Sequence, residues 1–174
     1  MEKTKISAKQ IDILVINCSL FSPTPSLCAL VAEKFNMRSD LLTYNLSGMG
    51  CSAGLVSMDL AQRLLQQRPN SLALVLSTEN LTQALYHGND RAFLLQNTLF
   101  RCGGSAVLLS NKPRDGLRAK FKLLHLIRTQ GTDSHSYEAV YSTEDSKGIM
   151  GVRLSKDIVK VAGRLMEKNL TAMG

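Results

Sequence analysis

Two short runs in this 174-residue chain are apolar at nearly every position: "IDILVINCSL" (residues 11–20) and "SLALVLSTEN" (residues 71–80). A strand with one solvated face alternates apolar and polar side chains, so runs without alternation predict strands buried on both faces. Between them, Ser26 stands where a helix N-cap belongs, ahead of Leu27, Leu30, Val31 and Phe35 on one helical stripe. Residues 40–47, "DLLTYNLS", read as a further strand. Residues 52–67 read as a largely buried helix, apolar around most of its circumference and stopped by Pro69. Strands alternating with helices and covered on both sides predict an α/β layer structure with a mostly parallel sheet.

The second half of the chain is less periodic. "LTQALYHGNDRAFLLQNTLFRCGG" reads as one long loop, and loops of that length in compact domains are usually functional or at interfaces. "SAVLLSN" and "AKFKLLHLIRTQ" read as two adjacent strands joined by the hairpin-like basic loop "NKPRDGLRAKFK". A polar, glycine-containing stretch over residues 131–151 precedes a last helix. Ser155 caps that helix, Asp157 lies in its first turn, and Ile158, Val159, Ala162, Leu165 and Met166 are expected to face inward. No internal repeat or low-complexity tract is present.

The chain is long enough for one domain with a real core. Its net charge of +7 comes from basic residues interleaved with acids, and aromatics are only 5%. That pattern argues against nucleic acid and suits an anionic small ligand equally well. No apolar run approaches the roughly 18–20 residues that span a bilayer, and no signal peptide precedes the first strand, so the chain is expected to be soluble and intracellular. Four cysteines are scattered without zinc spacing, so neither a metal nor a disulfide is expected. Cys18 and Cys28 read as small buried hydrophobes.

Cys51 stands apart. In "YNLSGMGCSAGLVSMDL" (residues 44–60) it falls where a strand pattern gives way to a helix pattern. A thiol there lies near a helix N-terminus, whose free N–H groups and dipole favour thiolate. Gly48, Gly50 and Gly54 strip side chains from the turn, Ser52 opens the helix, and the cysteine's own N–H could join an oxyanion hole. This is the logic of a nucleophile elbow with sulfur replacing oxygen. A buried cysteine in a glycine-rich turn fits the same spacing.

A family resemblance bears on that choice. "NCSLFSPTPSL", "NLSGMGCSAG", "STEN", "LFRCGGSAVLLSNK" and "GVRLSKDIVKVAG" occur in order. The chain thereby resembles the plant and algal 3-ketoacyl-CoA synthases that elongate very-long-chain fatty acids. The resemblance implies a thiolase-like fold of two similar α/β halves, with the cysteine on a buried central helix of the first half. It implies Cys51 as the nucleophile that accepts the acyl chain from acyl-CoA. Malonyl-CoA then loses carbon dioxide and its carbanion attacks the acyl thioester, releasing a 3-ketoacyl-CoA. No cofactor is implied. A histidine and an asparagine from the second half stabilise the enolate in such enzymes.

On this reading residues 1–10 are a leader and residues 11–174 a partial N-terminal half domain, incomplete at both ends and lacking those two partners. Family members are anchored in the endoplasmic reticulum membrane, while this chain carries no span. A homodimer, or association with a full-length synthase, is expected, and apolar surface left uncovered predicts oligomerisation or marginal stability. The histidines present do not substitute for the missing one: His125 reads as a core or interface residue, His87 lies in the long loop, and His135 in a polar segment. Gln130 stands where many members have a histidine, Leu85 where a tryptophan is common, and Gln96 where a proline is common. Two other readings compete. One is a non-catalytic fragment that pairs with a full-length synthase and modulates it. The other is a chalcone-synthase-like or ketoacyl-ACP enzyme, which "NCSLFSPTPSL" does not support.

Overall fold

Strand β1 (Ile13–Asn17) is buried along its whole length, and its side chains alternate between two layers. Ile13 and Val15 pack with Ala61, Leu65, Ala73 and Val75, whereas Leu14 and Ile16 pack with Cys28. That two-sided burial is why the strand carries no polar alternation. The computed structural model describes residues 4–174. The first three residues of the expected leader lie outside the described residues. The rest of it includes a 3-10 turn, Ala8–Gln10, closed by a capping box between Ser7 and Gln10.

The chain divides into two compact units, Met1–Asn80 with Cys102–Leu124, and Leu81–Arg101 with His125–Gly174. The first unit holds a four-stranded mixed sheet in the order β2-β1-β3-β4, where β2 is Leu42–Leu46, β3 Leu72–Glu79 and β4 Gly103–Ser110. β1 runs parallel to β2 and β3, and β4 is antiparallel to β3. Helix α1 (Leu27–Lys34) begins at Ser26, whose Oγ accepts from the Ala29 N–H at 3.2 Å. At the amino end of the sheet Asp12 accepts from the Leu72 N–H and from Arg38, both at 2.8 Å, tying β1 to β3 and to the turn after α1.

Two expectations about helix faces need correction. In α1 the buried residue is Cys28, with Leu27 and Val31 packed beside it, while Leu30 and Phe35 are exposed. In α2 (Ala53–Gln67) the buried stripe is Ala53, Ser57, Ala61 and Leu65, and Leu55 is 68% exposed. The helix is therefore not covered all round, Leu55 standing out to solvent, although Asp59, off that stripe, is buried as well.

The second unit departs further from the sequence reading. The expected long loop contains a 3-10 turn, Thr82–Ala84, and helix α3 (Arg91–Leu99), capped by Asp90 through the Ala92 N–H at 2.8 Å. The polar stretch after residue 131 contains α4 (Ser134–Glu138) and an antiparallel hairpin of β5 (Val140–Glu144) and β6 (Met150–Leu154). Conversely, residues 119–130 form no strand: their apolar pattern has no neighbouring strand to supply backbone donors and acceptors.

The core of this unit is Tyr86 stacked on Phe93 at 5.0 Å between ring centroids. Gln96 lies beneath, its amide donating to the Ala84 carbonyl and accepting from the Val152 N–H. Asp145 accepts from the Tyr86 hydroxyl and from the Lys147 and Ile149 N–H groups, closing the hairpin turn. Helix α5 (Ile158–Met173) has Asp157 rather than Ser155 at its N-cap and holds Ile158 and Leu165 half-buried, but Val159, Ala162 and Met166 are exposed, against expectation.

Candidate active site

β1, β2 and β3 are parallel, so their carboxyl ends share one edge of the sheet. Open α/β sheets place their chemistry outside that edge. β2 leaves it through Gly48, at φ +70°, and Gly50, at φ +65°. Both are in the left-handed region that other residues enter at a cost. Gly50, Cys51 and Ser52 form one 3-10 turn that runs straight into α2. The Cys51 thiol is exposed and free.

The turn is held from both sides. The Gly50 carbonyl accepts from the Ala53 N–H and, at 3.2 Å, from the Ser19 hydroxyl. Ser52 Oγ donates to the Met49 carbonyl at 2.9 Å and gives no side-chain cap to α2. Gly54 lies in the first turn of α2, where a Cβ would meet Ser77 Oγ at an ordinary 3.5 Å. The structure thus brings Gly50, Cys51 and Ser52 together in the turn, with Gly54 one step into the helix.

Below the turn, buried Asn17 donates to Ser57 Oγ at 2.9 Å and Ser77 Oγ at 2.8 Å, and Ser57 Oγ donates to the Ala53 carbonyl at 2.7 Å. This polar knot pins the first turns of α2 to the carboxyl ends of β1 and β3. Beside it, Glu79 accepts from the Ser19 N–H at 2.7 Å, the Leu20 N–H at 3.1 Å and the Cys18 thiol at 3.5 Å. Sequence reasoning missed Asn17, Ser19, Ser57, Ser77 and Glu79 as a group. The available signal was polar residues closing apolar strands at their carboxyl ends.

The other singled-out residues lie elsewhere. His87, His125 and His135 all belong to the second unit and are exposed. For His125 the core reading is corrected, since its segment is not a strand. Cys102 is also exposed, next to Gly103, which pairs with Glu79 in the β3–β4 register. Burial pushes the Cys28 thiol up, although it donates to the Tyr44 carbonyl at 3.2 Å. Among the described residues no cluster of His, Cys, Asp or Glu could hold a metal ion. No helix among them is long and apolar enough to cross a membrane.

The profile of the FAE1/type III polyketide synthase-like proteins matches this sequence over residues 1–174. The chain belongs to that family. It is 53% identical over 174 residues to 3-ketoacyl-CoA synthase 5 of Arabidopsis thaliana, covering 99% of this chain and 35% of the relative. It thus spans about a third of the length of that relative. Among solved structures, the C-terminal type III polyketide synthase domain of Steely1 from Dictyostelium superposes with a TM-score of 0.80. The match covers 98% of this chain and 46% of that one, at 19% identity. CsyB, solved in complex with CoA-SH, superposes with a TM-score of 0.69 over 96% of this chain and 47% of its own, at 18% identity. These likenesses show the fold: an α/β, mostly parallel mixed sheet of the thiolase-like type, over roughly the first half of such a domain.

Proposed function

We propose that this chain carries the acylation site of a 3-ketoacyl-CoA synthase of very-long-chain fatty acid elongation. Cys51 is the nucleophile: its thiolate attacks the thioester carbonyl of a long-chain acyl-CoA, CoA leaves as its thiol, and the acyl group stays on sulfur. The observation that carries this reading is the exposed Cys51 thiol in a turn with left-handed glycines, leading directly into the fifteen-residue helix α2. The 53% identity to a 3-ketoacyl-CoA synthase supports the substrate class. The Cys51 N–H is the proposed oxyanion donor, Gly50 and Gly54 leave room for the carbonyl, and Ser52 orders the turn through Met49.

In the whole reaction malonyl-CoA is the second substrate, carbon dioxide and CoA are released, and a 3-ketoacyl-CoA is formed. In the family that condensation draws on a histidine and an asparagine of the second half; the step assigned to the described residues is the acylation of Cys51. The test is the intact mass of the chain after incubation with a long-chain acyl-CoA, beside Cys51→Ser. An acyl adduct in the parent and none in the variant is expected; its absence from the parent would overturn the reading.

The runner-up is a non-catalytic partner of a full-length synthase, favoured by the exposed apolar residues along α5. Co-purification of the two proteins at micromolar concentration is the expected result there, and no complex would sink it.

A further inference from the structure

We infer that Glu79 is a positioning residue that sets the orientation of the Gly50–Cys51 peptide, an inference that rests on Cys51 being the acyl acceptor. The side chain closes β3 with both carboxylate oxygens engaged. Oε1 takes the Ser19 N–H at 2.7 Å, and Oε2 takes the Leu20 N–H at 3.1 Å and the Cys18 thiol at 3.5 Å. Three donors from one loop converge on one carboxylate, which no neutral side chain of that size can match.

The loop passes the constraint on. Ser19, held through its N–H by Glu79, uses its hydroxyl on the Gly50 carbonyl at 3.2 Å. The Ala53 N–H holds the same carbonyl from the helix side. A trans peptide is planar, with its C=O and N–H pointing in opposite directions. Fixing the Gly50 carbonyl therefore aims the Cys51 N–H away from both donors. Glu79 bonds the Cys18 thiol and the Ser19 and Leu20 N–H groups, not Cys51 itself; it acts on the Gly50–Cys51 peptide through Ser19. Gly50, at φ +65° and with no neighbour within 4 Å of a Cβ position, brings no side chain of its own to hold that peptide.

The test uses the 174-residue chain carrying Cys102→Ala, which removes the other exposed thiol. Glu79→Gln keeps the shape but turns an amide N–H toward one of the loop donors. Ser19→Ala breaks the link to Gly50 and leaves Glu79 untouched. Acyl-adduct formation from a long-chain acyl-CoA is compared with iodoacetamide alkylation across a pH series. Alkylation needs thiolate but no oxyanion donor. Losing an oxyanion donor outright costs roughly a hundredfold or more, so misaiming one is expected to slow acylation about tenfold in both variants. Alkylation at matched thiolate fraction is expected to stay within about twofold.

Unchanged acylation in Glu79→Gln would overturn the assignment. So would acylation and alkylation falling together with the melting temperature, which marks a structural role alone. If the parent forms no adduct, the reading of Cys51 fails separately, and amide hydrogen exchange over residues 48–54 decides the positioning. Faster exchange in both variants upholds it; exchange equal to the parent overturns it.

Discussion

Gly50 and Gly54 flank the same cysteine, yet the structure asks different things of them. Gly50 has open space for a Cβ, so what excludes a side chain is its left-handed backbone, not crowding. Gly50→Ala is expected to cost about 1 kcal/mol of stability and to slow Cys51 acylation. Gly54 is helical and tolerates a Cβ, so Gly54→Ala is expected to be neutral or to stabilise by up to about 1 kcal/mol. Urea denaturation of the two variants side by side checks both expectations. Thiol chemistry sorts the cysteines in the same way: Cys51 and Cys102 are expected to react with a thiol reagent in the native state. Cys18 and Cys28, both buried, are expected to react only on unfolding. Cys51 stands out in the sequence as a candidate because its signal is local, a cysteine among glycines between two periodicities. Glu79 and Asn17 were not, because their partners lie about 40 to 60 positions away along the chain.

Secondary-structure elements are stitched together by polar contacts that a periodicity cannot reveal. Burial pushes the Asp12 carboxyl up, but the Leu72 N–H and the Arg38 guanidinium outweigh it and hold the group below its ordinary value. A carboxylate lowered on folding stabilises the native state above its unfolded pKa, and that contribution is lost as pH falls through the folded value. Native stability is therefore expected to fall below about pH 4, the ordinary carboxylate range. Asp12→Asn should flatten that fall, as read from urea midpoints at pH 3 and pH 7. In the second unit Gln96 holds the Ala84 carbonyl and the Val152 N–H with one buried amide. Gln96→Ala strands both groups and is expected to cost about 2 kcal/mol, seen as a lower melting temperature. The same residue explains why α3 was missed: its buried pair is Phe93 and Gln96, so half of its inward face is polar. The hairpin was missed for a related reason. Its strands are short and only partly buried, and Asp145 organises their turn through the distant Tyr86 hydroxyl and two N–H groups of the turn itself.

Across the whole molecule the apolar surface is unevenly covered. Along α5, Val159, Met166, Leu170 and Met173 are all more than half exposed, and their spacing puts them on one helical face. The chain is expected to bind an apolar dye and to self-associate as its concentration rises. Met166→Lys with Leu170→Lys should weaken both, which dye fluorescence and sedimentation velocity would check. The family was legible from motifs alone, and so was the parallel arrangement of β1, β2 and β3. Both depend on local order: residue identity at fixed spacing, and, for β1 and β3, the absence of polar alternation in strands covered on two sides. Whether an apolar run becomes a strand is not local, as residues 119–130 show: a strand exists only where another backbone lies alongside to complete its hydrogen bonds. Helix faces follow the same rule, since Leu55 and Val159 are as apolar as the better-covered Leu65 and Leu165 and differ only in what meets them. The carboxylate of Glu79 reaches the candidate site only because folding brings the loop after β1, the turn after β2 and the end of β3 to one edge of the sheet.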